Sequence, residues 1–166
     1  MTTLASLCKH PVRVVTPETT IRTAAKMMRE HHIGALVVVA DESNISKPIG
    51  IVTDRDIVVA IVALDLDPDI FLIDDLLDRP LIVAQTEQRI RDGLELMKSK
   101  GVRRLPLVDK TGKLMGIITL DDLLNELAQD LKRVSDVIER EISSELILRP
   151  SKIRARQNKN AKTSGI

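Results

Sequence analysis

The chain has almost no aromatic residues. Among 166 residues Phe71 is the only Phe, and there is no Trp and no Tyr. The 43% hydrophobic content therefore comes almost wholly from Ile, Val, Leu, Ala and Met, and a flat ligand such as a nucleobase would have to lie against aliphatic side chains. Cysteine is nearly absent too. A single residue, Cys8, excludes an internal disulfide and a cysteine-based metal site made from this chain alone, and it reads as a small apolar residue, buried or half-buried. No apolar run approaches the roughly 18 to 20 residues of a membrane span. The N-terminus lacks the basic segment and long apolar core of a secretory signal, so the expected setting is cytoplasmic, with no membrane partner. The three histidines are badly spaced for a metal: His31 and His32 are adjacent, His10 is remote, and no helical pair at spacing four exists. Histidines at a helix end serve more readily as partners for the last carbonyls. There is no nucleophile elbow and no glycine-rich phosphate loop. The acidic pairs Asp54/Asp56, Asp74/Asp75 and Asp121/Asp122 stand where helices are expected to start, which favours capping over two-carboxylate chemistry. No enzyme is expected.

What the chain does have is an internal repeat. Gly50-Ile51-Val52-Thr53-Asp54-Arg55-Asp56 returns 66 positions later as Gly116-Ile117-Ile118-Thr119-Leu120-Asp121-Asp122. Upstream the echo runs at 69 positions, pairing Leu7 with Leu76, Pro11 with Pro80, Val14 with Val83, Ile21 with Ile90 and Met28 with Met97. The change of offset places three extra residues between Val39 and Ile49, in a polar stretch that reads as a turn. Each repeat, about 65 residues, would be marginal alone, so the two are expected to share a core.

Periodicity gives the elements. Thr2 to Lys9 reads as a short helical lead-in and Val12 to Val15 as a strand. A helix with Thr19 or Pro17 at its start carries Ile21, Ala24, Ala25 and Met28 inward as far as His31. Ala35 to Val39 is a strand covered on both faces, and Ile49 to Val52 is the next. Thr53 or Asp54 caps a helix with Ile57, Val58, Ala60, Ile61 and Leu64. Asp65 to Asp69 links the repeats. The second copy then gives a lead-in helix at Ile70 to Leu77, a strand at Leu81 to Val83, a helix from Glu87 to Lys100, a strand at Leu105 to Val108, a turn at Asp109 to Gly112 and a strand at Lys113 to Ile118. Thr119 opens the last helix. Each unit is strand, helix, strand, strand, helix.

The final helix keeps an apolar stripe for nearly 30 residues, through Leu123, Leu127, Leu131, Val134, Ile138, Ile142 and Leu146. A small body cannot cover all of it, so a partner helix is expected, most simply from a second copy of the chain. From Arg149 onward the chain carries six cations and no acid, whereas residues 1–148 hold five more acids than bases. This tail, residues 149–166, reads as disordered. Six positive charges could also meet nucleic acid phosphates, although no aromatic is interleaved to stack on bases.

The repeated heptapeptide can do chemistry. A helix N-terminus favours an anion such as phosphate, a Thr hydroxyl can donate or accept beside it, and a carboxylate one turn on suits the paired hydroxyls of a ribose. The same Thr and Asp spacing is also an ordinary helix cap worth perhaps 1 kcal/mol, and duplicated caps are expected in any duplicated fold. Both readings stand on the residues alone.

Residues 4 to about 127 resemble a tandem pair of CBS domains, the regulatory modules named after cystathionine beta-synthase. The resemblance is carried by the Gly-x-x-Thr-x-x-Asp endings at Gly50 to Asp56 and Gly116 to Asp122, the Pro11-Val12 and Pro80-Leu81 openings, and Leu105-Pro106-Leu107-Val108. It implies an α/β fold of the α+β kind: two βαββα repeats, residues 1–68 and 69–127, related by a pseudo-two-fold axis. A helical extension at 128–148 follows. It also implies adenosine ligands such as AMP, ADP, ATP or S-adenosylmethionine in the clefts, with no cofactor required, and dimers of four repeats. By position, Thr53 and Asp56 would serve one cleft and Thr119 and Asp122 the other. Arg13 to Val15 and Ile82 to Ala84, including Val14 and Val83, would flank the adenine, facing Ile33 to Leu36 and Arg103 to Pro106. Arg55, Arg103 and Arg104 suit phosphate and are unequally distributed, since Arg103 and Arg104 align with Gly34 and Ala35 while Arg55 aligns with Asp121. Which cleft each arginine reaches is left open, as is the bland alternative of a solvated surface. The expected role is a non-catalytic sensor in signal transduction, of the energy-sensing kind, acting on a target protein. Nucleic-acid binding or protein interaction through the basic tail is the alternative.

Overall fold

The computed structural model describes residues 2–8, 12–41 and 47–163, with side chains as far as Glu145. Its order is α1 (Leu4–Leu7), β1 (Val14–Val15), α2 (Ile21–His31), β2 (Ala35–Val39), β3 (Pro48–Thr53), α3 (Asp54–Ala60), β4 (Ala84–Gln85), α4 (Ile90–Lys100), β5 (Arg104–Val108), β6 (Leu114–Thr119) and α5 (Leu120–Thr163). Short 3-10 turns stand at Val62–Leu64 and Ile73–Leu76. The five-element unit thus occurs twice. The chain divides into two units, Met1–Leu123 and Leu124–Ile166. His10, Pro11 and most of the extra residues between Val39 and Ile49 lie outside the described residues.

Two three-stranded sheets form the first unit, ordered β1-β2-β3 and β4-β5-β6. In each, the central strand pairs parallel with the first and antiparallel with the last. The continuous apolar runs of β2 and β5 are buried on both faces from Leu36 to Val39 and from Leu105 to Val108, as their composition requires.

The second opening strand differs from expectation for a physical reason. In the first repeat the Val37 N–H donates to the Arg13 carbonyl at 3.2 Å. The residue aligned with Val37 is Pro106, which has no N–H to give. The ladder therefore begins later: β4 is Ala84–Gln85, paired with Leu107 and Val108, and Leu81 to Val83 are not strand.

Helix α2 starts just after the expected Pro17 or Thr19, with Thr20 as its N-cap, the Thr20 Oγ1 accepting from the Thr23 N–H at 3.2 Å. Its C-cap, His32, adopts the left-handed conformation at φ 52°, and at α4 the same position is Gly101 at φ 65°. The His32 side chain stays exposed, and the backbone N–H is what meets the Arg29 and Met28 carbonyls.

The two lead-ins are exchanged. Leu4 and Leu7 are buried in the second repeat's core with Ala84, Met97, Leu105 and Leu123. The Leu4 N–H donates to the Gln88 carbonyl and Ala5 N–H to that of Thr86. Reciprocally, Ile73 is fully buried in the first repeat's core beside Val15, Ile21 and Leu36, and its N–H donates to the Thr19 carbonyl. A third cluster, Val37, Val39 and Leu114 with Val12, Val14 and Ile117, joins the sheets. Reciprocal exchange is what a pseudo-two-fold relation produces, and the shared core offsets the small size of each repeat.

Helix α5 runs 44 residues, and its backbone continues to Thr163 through Pro150.

Candidate functional site

The two Gly-x-x-Thr-x-x-Asp endings have the same geometry. Thr53 ends β3, and its Oγ1 donates to Asp56 Oδ2 at 2.6 Å while the Asp56 N–H donates back to Oγ1 at 3.2 Å. The Thr53 N–H donates to the same Oδ2 at 2.8 Å. Thr119 and Asp122 repeat all three bonds at 2.6, 3.2 and 2.8 Å. Each pair is a reciprocal capping box, so the capping use of these residues is real. It also fixes each carboxylate at the end of a strand through Oδ2. Among the described residues no hydrogen bond engages Oδ1 of Asp56 or Asp122. Asp56 is exposed and Asp122 half-buried.

Sheet pairing brings the wall residues to these boxes. Ala35 stands opposite Thr53, and the Asp54 N–H donates to the Gly34 carbonyl at 3.3 Å. In the second repeat Arg104 stands opposite Thr119, and the Leu120 N–H donates to the Arg103 carbonyl at 2.9 Å. Pro106 is buried opposite Ile117, while Ile33, half-buried, follows the α2 cap with its N–H on the Met28 carbonyl. Val14 pairs with Val37 in the cluster between the sheets. Val83 is half-buried but outside the ladder.

The arginines separate. Arg104 belongs to the second repeat by sequence, yet its guanidinium reaches the first: a Cβ added to Gly34 would stand 3.0 Å from Arg104 Nη2 and 2.9 Å from Asp54 Oδ2. Gly34 leaves the space that the two charged groups occupy. Arg55 and Arg103 are exposed and have no side-chain hydrogen bond or ion pair among the described residues. Sequence reading named Asp54 only as a helix cap and one of an acidic pair, and Gly34 only within the wall segment Ile33 to Leu36.

Cys8 and Leu77, aligned residues of the exchanged lead-ins, lie on the two motif glycines. A Cβ on Gly116 would collide with Cys8 Sγ, and one on Gly50 would stand 2.6 Å from Leu77 Cδ2. Among the described residues no three metal-ligating side chains gather.

A family model for the CBS domain matches residues 4–63 and 73–129. The chain belongs to the CBS domain family. An uncharacterized protein from Methanopyrus kandleri is 41% identical over 107 residues, 64% of this chain, and this chain spans about half of it, 53%. Hypoxic response protein 1 of Mycobacterium tuberculosis is 33% identical over 129 residues, covering 78% of this chain and 87% of that one. A crystal structure of Hypoxic Response Protein I with two coordinated zinc ions matches at TM-score 0.65 and 32% identity, over 76% of this chain and 99% of that one. A CBS domain protein from Pyrobaculum aerophilum complexed with AMP matches at TM-score 0.68 and 27% identity, over 77% and 99%. CBS pairs are regulatory modules, and the CBS pair here spans the first unit of the chain.

Proposed function

We propose that this CBS pair is a non-catalytic sensor of adenosine nucleotides. Thr53 with Asp56, and Thr119 with Asp122, take the ribose and phosphate of a ligand in each cleft. The capping box holds each carboxylate in place before ligand arrives, and Oδ1 can then accept from a ribose hydroxyl without repaying that ordering. Aliphatic side chains at Val14, Val83, Ile33 and Pro106 flank the adenine. Arg104 completes the first repeat's site with a guanidinium suited to phosphate, and Arg55 and Arg103 add charge at the rims. The observation that carries the reading is the duplicated Thr and Asp box at equivalent strand ends of a CBS pair, with AMP present in the Pyrobaculum relative.

Ligand acts by binding one arrangement of the repeats, or of a homodimer, more tightly than another, a difference typically worth about 1–3 kcal/mol. The homodimer forms through the repeat helices and α5: Val58 and Leu124, aligned at the 66-residue offset, are 53% and 50% exposed. A target protein reads the change. Calorimetric titration of the Asp56→Ala, Asp122→Ala double variant with AMP and ATP tests the site. Loss of binding with an intact circular dichroism spectrum is expected; unchanged affinity overturns the reading.

A further inference from the structure

Arg104 is half-buried, and among the described residues its guanidinium has no hydrogen bond and no ion pair. Partly desolvated donors in that state cost free energy that an anion would recover. The Asp54 carboxylate stands near without closing an ion pair. Its Oδ2 borders the same space above Gly34 as Arg104 Nη2, and its Oδ1 accepts from the Arg55 N–H at 2.9 Å.

The second cleft is built differently. At the repeat offsets of 69 and 66 residues, Ala35 stands in the place of Arg104, Leu120 in that of Asp54 and Asp121 in that of Arg55. The backbone frame is common to both, since the Leu120 N–H donates to the Arg103 carbonyl as the Asp54 N–H does to that of Gly34. The difference therefore lies in the side chains. Arg103, in the place of Gly34, is the one arginine at these positions of the second cleft. The first cleft has Arg104 and Arg55 against Asp54 and Asp56, and the second has Arg103 against Asp121 and Asp122.

We infer that the first cleft selects the more highly phosphorylated adenosine ligand, ADP or ATP over AMP, and that the second does not. Each further phosphate adds negative charge, which a guanidinium meets with paired donors of matching geometry. Arg104 offers such donors unpaired, and Arg55 is exposed two residues after Thr53. Both act within the Debye length of about 8 Å at physiological salt, so their attraction survives screening. At the second cleft Asp121 repels the phosphate that Arg55 draws at the first. Asp54 offsets part of the Arg104 charge while Leu120 leaves that of Arg103 whole, so selection depends on Arg55 against Asp121 together with Arg104 against Ala35. The pair then reads phosphate count at one cleft and the adenosine ligand as such at the other.

The inference rests on the reading that the clefts take adenosine nucleotides. Calorimetric titration with AMP, ADP and ATP tests it in two full-length variants, Asp122→Ala, which keeps the first cleft, and Asp56→Ala, which keeps the second. The first cleft binds ATP about tenfold more tightly than AMP, the scale of one charge-assisted hydrogen bond, and the second binds ATP no more tightly than AMP. Adding Arg104→Ala to the Asp122→Ala chain narrows the ATP to AMP ratio, whereas adding Arg103→Ala leaves it. A third measurement keeps both capping boxes intact: the parent chain gives two ATP affinities, and Asp121→Arg, at an exposed position, raises the weaker towards the stronger. The same ATP to AMP ratio in both clefts, or a ratio indifferent to Arg104→Ala, overturns this inference alone. A parent chain that binds none of the three nucleotides overturns the nucleotide reading and this inference with it.

Discussion

The Arg104 guanidinium of the second repeat lies over Gly34 of the first, in space that a Cβ at Gly34 would fill at 3.0 Å from Nη2. Gly34→Ala therefore displaces Arg104 together with the Asp54 carboxylate, whose Oδ2 lies 2.9 Å from that Cβ, while Thr53 and Asp56 of the capping box are not among its nearest neighbours. Binding of AMP at the first site is expected to weaken about tenfold or more, the scale of one charge-assisted hydrogen bond, and Arg104→Ala to match it. Titration of both variants checks this; a Gly34→Ala chain with parental affinity would show that Arg104 does not contact phosphate.

Gly116 is closed by Cys8 and Gly50 by Leu77, but the two contacts differ in softness. Cys8 presses a short side chain onto Gly116 with Cβ itself at 3.4 Å, whereas Leu77 offers the far end of a flexible one. Gly116→Ala should cost roughly 1–3 kcal/mol by overpacking, and Gly50→Ala less. Adding Cys8→Ala to Gly116→Ala should recover part of the loss. Denaturant melts of the singles and the double measure the coupling, and strict additivity would count against the contact.

Exchange of the lead-ins has a direct consequence for stability. Ile73, from the second repeat's sequence, is buried in the first repeat's core. Ile73→Ala is expected to destabilise by about 2–5 kcal/mol and to lower hydrogen-exchange protection in α2 more than in α4. The opposite order of protection would contradict the exchange.

His32 holds a left-handed C-cap that its counterpart Gly101 holds without a side chain. His32→Gly should relieve about 1 kcal/mol of backbone strain, offset in part by a more flexible unfolded chain. A small rise in Tm is expected; a fall would mean that the imidazole contributes contacts of its own.

Asp109 accepts from the Thr111 hydroxyl and from the Thr111 and Lys113 N–H groups at the β5–β6 turn. The Thr111 hydroxyl above all, then the Lys113 N–H, holds its carboxyl below the ordinary value of 3.8. A lowered folded-state pKa stabilises the fold above the ordinary value, and that stabilisation is lost as pH falls through the lowered one. Asp109→Asn should flatten this part of the acid limb in melts below pH 4. An unchanged acid limb would show that the turn does not carry it.

Much of this protein was legible in the order of its residues. The repeat, the five elements of each unit and the buried strands at Ala35–Val39 and Arg104–Val108 follow from periodicity and composition, because burial on both faces admits little but Val, Leu, Ile and a proline where no N–H is needed. Thr53 and Thr119 were likewise readable as caps, since a capping box is made within four residues. Relations between distant segments were not. Only tertiary structure decided that each lead-in docks on the other repeat, that Pro106 delays the second ladder by denying Ile82 a donor, and that Arg104 crosses to Gly34 and Asp54. Local pattern encodes what a segment prefers; which surface it meets depends on how two marginal repeats bury their faces against each other, and that is settled by the whole core at once.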